Sequence, residues 1–435
     1  MGPHGGLPAL PPRLSSSQEA SNGLVLRYLE LGLSLGRHVD GLVDAYYGPP
    51  ELARAVASGP LSSPTDLVAE AASLLNDLDA GMPLDAGMPL DAVPLAAGMP
   101  LDGGHQRRGW LRAQVVGLHT SARILAGQSI SYADEVGACY GVRPRRVPEE
   151  VLVDAHLGLD EVLPGTGPLA ERYVAWRESQ VVPPDRLRAA IDSLVEDLRE
   201  RTDRRWDLPP GERVDFELVT GKPWSGFNYY LGNLHSRVAV NVDLPVLSPS
   251  LAHLVAHEAY PGHHTEHSRK EVGLVGRHRR LEETIFLVGT PQCLMAEGLA
   301  DLGLEMVMGR RPEGTVAEHL VPLGIPYDAE VVAAVSQAGE ALGKVRGNAA
   351  FRLHHDHADP ETVVGEVAHW GLLPRPRAEK AVSFLLDPTW RAYVTCYVEG
   401  LPLCRSFVAG NSERFGRLLD EQLTPADLGA LPAPP

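Results

Sequence analysis

No apolar run in this chain approaches the roughly 18 residues that a membrane-spanning helix needs. Cysteine is scarce. Cys139, Cys293, Cys396 and Cys404 stand far apart with no CxxC pair, which excludes a disulfide framework or a zinc knuckle and points to reduced, buried thiols. Positive charge is in deficit: 39 Lys and Arg stand against 56 Asp and Glu. The formal net charge of -17 disfavours nucleic acid or an anionic membrane surface as the main partner. Residues 1–23 are rich in Pro, Gly and Ser and lack a continuous apolar segment. They read as a disordered arm rather than a signal peptide, so a cytoplasmic location is the expectation.

What the chain does have is helical periodicity. With 435 residues and 44% hydrophobic content, residues 24–431 fit one large domain. Apolar residues recur at helical spacing from Leu24 until Gly48-Pro49-Pro50 stops them, and again through "DLVAEAASLLNDLD". The unit "AGMPLD" then occurs at 80–85, 86–91 and 97–102. Its Gly-Met-Pro core breaks helices, so 80–104 reads as an insertion loop. From "RRGWLRAQVVGLHTSARILAGQ" to "RLRAAIDSLVEDLRERTDRRWDL" the pattern is helix after helix. Between 212 and 245, Val, Phe and Tyr alternate as in a β ribbon, a hairpin or small sheet. The expected architecture is mainly α, with this one small β element placed just before a histidine-rich helix.

That helix begins in "HLVAHEAYPGHHTEH", residues 253 to 267. Zinc peptidases use H-E-x-x-H because residues four apart on a helix share a face. Both imidazoles then reach one ion, and the glutamate reaches the water. Here His257 and Glu258 open the motif, but Pro261 stands where the second histidine belongs. His264 lies near the azimuth of His257 but about 10 Å further along an ideal helix, against about 6 Å for residues four apart. Alternatively, a two-residue bulge at Tyr260-Pro261 carries His263 into the missing place; Pro and Gly favour such a break. Downstream, "QCLMAEGLADLGLEMVMG" offers Glu297 as third ligand. Asp301, four residues later, is suited to accept the free N–H of a ligating histidine. Glu305 extends the stripe, and acids among Leu, Ala and Met need partners when buried.

The combination of "HEAYPGHH" and "EGLAD" with "VDAYYGP" and "WRAYVTCYVEG" resembles a bacterial family of unknown function. That family is similar in fold to the carboxypeptidase Taq family of zinc metallopeptidases, and the resemblance spans about residues 24 to 431. In those enzymes a Gly-His pair ends the motif, which favours His263 over His264 as the second ligand. The resemblance implies a zinc site of His257, His263 and Glu297, with Asp301 and His264 supporting the ligands from behind. Glu258 is the general base, and the substrate is a peptide or small amide. The expected function is a zinc-dependent metallopeptidase, carboxypeptidase-like on small peptides. A zinc hydrolase of another amide or ester is an alternative, as is a non-catalytic metal-stabilised protein.

Acyl transfer needs an oxyanion donor, and Tyr393 and Tyr397 are the candidates. Residues 235 to 243 are the expected edge strand for an extended substrate, through Arg237, Val238, Ala239, Val240 and Asn241. Arg391 or Arg346 would bind a terminal carboxylate. A further histidine group at 352–360 reads as a helix end complementing its dipole.

Overall fold

The computed structural model describes residues 23–85, 103–222 and 224–429. The arm up to residue 22 and the second and third "AGMPLD" copies lie outside the described residues. The protein is mainly α, with two small sheets. Several prolines that interrupt the sequence pattern begin helices. Pro50, Pro64, Pro184, Pro291 and Pro360 each occupy the first helical position, where the fixed φ is favourable and no donor is lost. Ser63, Ser131, Asp328, Asp359 and Asn411 cap helix starts through their side chains.

The first helix ends earlier than its periodicity suggests. It spans Leu24–Gly36, and Val43–Tyr46 is strand β1, paired antiparallel with β5 (Ile285–Leu287). A partner so distant in sequence leaves no trace in local periodicity. β5 is the seam between two cores. Ile285 and Leu287 join the cluster of Leu24, Tyr28, Leu74 and Leu118, whereas Phe286 faces the larger cluster with Val255, Leu294 and Leu299. The ladder slips between Val43 and Ala45, so Asp44 stands out of register.

The second sheet comprises β2 (Arg213–Val219), β3 (Gly226–Tyr230) and β4 (His235–Asn241), in the order β2-β4-β3. β4 runs parallel to β2 and antiparallel to β3. The expected substrate strand, Arg237 to Asn241, is therefore the middle strand, with both edges occupied. The parallel return of β2 could not be read from turn residues. β2 and β3 are the two edge strands. Leu231 N–H bonds His235 O and Asn241 N–H bonds Ser225 O, so alternation turns the peptide groups of Gly226, Asn228 and Tyr230 outward.

The helix Pro291–Met308 is buried along most of its length and packs on the helices Ser248–Glu258 and Val394–Val408. Against the latter, the backbones nearly touch. A Cβ at Gly298 would lie 2.4 Å from Gly400 O, so only glycine permits this approach. It brings Tyr393 beside Glu297. All four cysteines are free and buried. Among the described residues, no helix is long and apolar enough to cross a membrane.

Candidate metal centre

The helix Ser248–Glu258 stops just after the His-Glu pair, and a new helix begins at His263. The Tyr260–Pro261 bond between them is cis. Across the break, Gly262 N–H reaches Ala256 O at 2.9 Å and Thr265 N–H reaches Ala259 O at 3.2 Å. Both bonds span six residues where a regular helix spans four, so two extra residues are absorbed at the break. Tyr260 is pinned by its hydroxyl, which donates to Glu212 Oε2 at 2.6 Å. Gly262 has no room for a side chain: a Cβ there would stand 1.9 Å from His257 O.

The break brings His263 Nε2 to 3.1 Å from His257 Nε2. Glu297 Oε2 lies 3.4 Å from His257 Nε2, and Glu297 Oε1 lies 3.9 Å from His263 Nε2. Donors bound at about 2.0–2.1 Å around a tetrahedral ion stand about 3.3 Å apart, close to these separations. Glu297 Oε2 is buried and has no hydrogen-bond partner. Such an orphaned acceptor, beside the His257 nitrogen, fits a cation better than it fits the protein alone. Behind the cluster, Asp301 Oδ1 holds His257 Nδ1 at 2.9 Å, the expected orienting contact. Tyr393 donates to Glu297 Oε1 at 2.8 Å.

The charges agree with that reading. Burial raises the Asp301 carboxyl, but its bonds to His253 and His257 outweigh that effect and hold it far below the carboxylate range. Burial opposes charge on His257, yet Asp301 and Glu297 outweigh it and hold the ring well above its ordinary value. His263 is pushed down to about 4 by burial and by charge on His257. Two carboxylates therefore face a single cationic ring, a surplus of negative charge that a divalent ion would offset.

Glu258 is buried, and its carboxylate has no hydrogen-bond partner among the described residues. Burial, opposed by His257 and reinforced by Glu297 and Asp301, pushes its pKa up to about 7. Its side chain lies under β3, where a Cβ on Gly226 would come within 3.1 Å of Glu258 Oε1. Asn228 on the same strand donates to Glu258 O at 2.5 Å.

Two sequence expectations change here. His264 does not support the cluster. Successive helical residues diverge by about 100°, and His264 turns into the sheet, where Nδ1 meets Ser236 Oγ and Nε2 meets Glu212 Oε2, each at 2.8 Å. Arg391 is not free for a substrate carboxylate, because it pairs with the buried Glu135 at 2.5 Å. Tyr397 does not touch Glu297. Its hydroxyl donates to that of Tyr393 at 3.0 Å, and the residue is 39% exposed. In the 352–360 stretch, His354 Nε2 bonds Leu385 O, and no metal-ligating group forms there among the described residues.

Two residues escaped sequence reasoning. Asp44 of β1 feels the charges of the same site: its carboxyl is pushed up to about 7 by burial and by Glu297 and Glu258. The segment "VDAYYGP" carried the family resemblance, yet its helical reading hid Asp44. His253, one turn before His257, has Nε2 3.4 Å from Asp301 Oδ1; its i, i+4 spacing to His257 was the available signal.

No family model matches the chain, and no curated protein matches it. Solved structures do. A protein described as a "putative lipoprotein" from Colwellia psychrerythraea is 13% identical with a TM-score of 0.49, over 84% of this chain and 66% of that one. This chain thus spans just under two thirds of that protein. A lipoprotein so described, of unknown function, from Shewanella oneidensis is 12% identical with a TM-score of 0.42, over 95% of this chain and 83% of that one. Likeness at this level carries no functional argument.

Proposed function

We propose that the protein is a zinc-dependent metallopeptidase acting on small, extended peptides. One observation carries the reading. Single donor atoms of His257, His263 and Glu297 lie within 4.8 Å of one another, with a buried Glu297 oxygen left unpartnered. Next to them stands a glutamate without a partner. A structural site has no need of Glu258; a hydrolytic one does.

His257, His263 and Glu297 would hold the ion, leaving one position open. Zinc supplies Lewis acidity there, acidifying water and polarising a carbonyl. Glu258 takes the proton from the attacking water and returns it to the leaving amine. Burial, which raises the Glu258 carboxyl, favours its acting as both acceptor and donor of the proton. Asp301 fixes the tautomer of His257, leaving Nε2 free to ligate. The substrate backbone lies along the free edge of β3, where Gly226, Asn228 and Tyr230 offer their peptide groups beside Glu258. Tyr397, whose hydroxyl reaches that of Tyr393, would serve as oxyanion donor. With Arg391 committed to Glu135, Arg346 is the remaining candidate for a terminal carboxylate, and the reading rests on peptide-bond hydrolysis itself.

Glu258→Gln tests it. The variant is expected to keep about one zinc per chain by elemental analysis, while turnover of a mixed peptide panel falls about a hundred- to ten-thousandfold. Undiminished turnover would sink the assignment, and a wild-type chain that takes up no zinc would remove its basis.

A further inference from the structure

His257 presents a nitrogen to each side of its ring. Nε2 points inward to His263 and Glu297, while Nδ1 points outward to Asp301 Oδ1. On the outer side stands His253, which plays no part in the proposed reaction. It lies four residues before His257, so the two rings leave the same helix face, with centroids 5.8 Å apart. His253 Nε2 is 3.4 Å from Asp301 Oδ1, close to the donor separation around a tetrahedral ion. One donor atom each from His253, His257 and Asp301 fall within 4.8 Å of one another.

We propose that His253, His257 and Asp301 form a second, outer zinc site at the rim of the cleft, coupled to the inner site through the shared ring of His257. Two histidines four apart plus a carboxylate are the ordinary zinc chelate, and this set needs no bulge to assemble. The position is accessible, since the His253 side chain is 46% exposed.

The coupling follows from the chemistry of imidazole and rests on the inner site proposed above. A neutral ring has one lone pair and one N–H. With an ion on Nε2, the proton stays on Nδ1 and Asp301 accepts it. An outer ion is then left with His253 and Asp301, and it draws that carboxylate away from His257. With the inner position empty, Nδ1 is free to complete the outer set. Each ion therefore weakens the other by the same factor. Zinc beyond one equivalent loosens the inner ligand that Asp301 was holding, so excess zinc inhibits.

The test is titration of the metal-free full chain with zinc against a competing chelator, with bound metal counted by elemental analysis. Wild type is expected to bind two zinc ions, the second at least tenfold more weakly. His253→Gln should lose only the weak phase. His263→Ala should lose the tight phase and retain one ion, and the double variant should bind none. A weak phase that persists in His253→Gln, or a wild type that takes one ion only, overturns the outer site. In that second case, loss of the single ion in His263→Ala leaves the inner site standing. No uptake by any variant overturns both.

Discussion

His263 and His264 are neighbours in sequence with opposite fates. His264 is fully buried, and both of its nitrogens are engaged, one by Ser236 and one by Glu212. Glu212 is satisfied in turn by the Tyr260 hydroxyl and by Arg199, and its carboxyl is held below the ordinary range despite burial. His263, one residue earlier, finds only another imidazole nitrogen and a distant carboxylate. The first set is saturated and the second is short of partners. A saturated polar network fixes a structure, whereas an unsaturated one facing a cleft is arranged for something the chain does not supply.

Replacing each histidine separates the two roles. His264→Ala removes one of the bonds that satisfy the buried Glu212, leaves Ser236 unpaired and opens a cavity, and should cost about 3 kcal/mol in urea-induced unfolding of the metal-free chain. His263→Ala should change that stability by about 1 kcal/mol or less and abolish tight zinc binding. Loss of zinc in His264→Ala with unchanged stability would reverse the comparison.

Much of this was legible in the sequence, for identifiable reasons. His257, Glu258, Glu297 and Asp301 follow helical spacing, which is local. The two-residue bulge was legible because Pro261 and Gly262 announce a break and counting restores the spacing. The turn of His264 away from the cluster was not, since its partners Ser236 and Glu212 lie in and beside the sheet, and burial by a sheet leaves no local mark. The middle position of β4 was hidden likewise, because β2 pairs with it in parallel and no turn residue records that choice. β1 was lost inside an apparent helix for the same reason: its partner β5 comes from the other end of the core.

The bulge itself can be tested at Gly262. A methyl group there would meet His257 O at 1.9 Å and Ala256 O at 2.5 Å, so the backbone must shift. Gly262→Ala should lower stability by about 2 kcal/mol and weaken zinc at least about tenfold, because the same turn places His263 against His257. Gly273→Ala is the control. It lies in the next helical segment with nothing within 4 Å of a Cβ, and it should change stability by less than about 0.5 kcal/mol and zinc affinity not at all. Equal effects at both positions would mean that Gly262 is ordinary and the bulge does not set the ligand geometry.

The smallest expected effect distinguishes the two tyrosines. Tyr393 donates to the Glu297 oxygen opposite the orphaned one, so it steers that carboxylate without reaching the substrate. Removing one such bond costs about 1 kcal/mol, a factor of about five in zinc affinity. Tyr393→Phe should therefore weaken zinc about fivefold. Tyr397→Phe removes a hydroxyl that touches only Tyr393, so zinc affinity should stay within about twofold of wild type. If Tyr397 stabilises the oxyanion, kcat in that variant falls about a hundredfold with KM little changed. If instead both variants shift zinc equally and leave kcat alone, the pair is one hydrogen-bonded prop behind Glu297, and the oxyanion donor must be sought on the β3 side of the cleft.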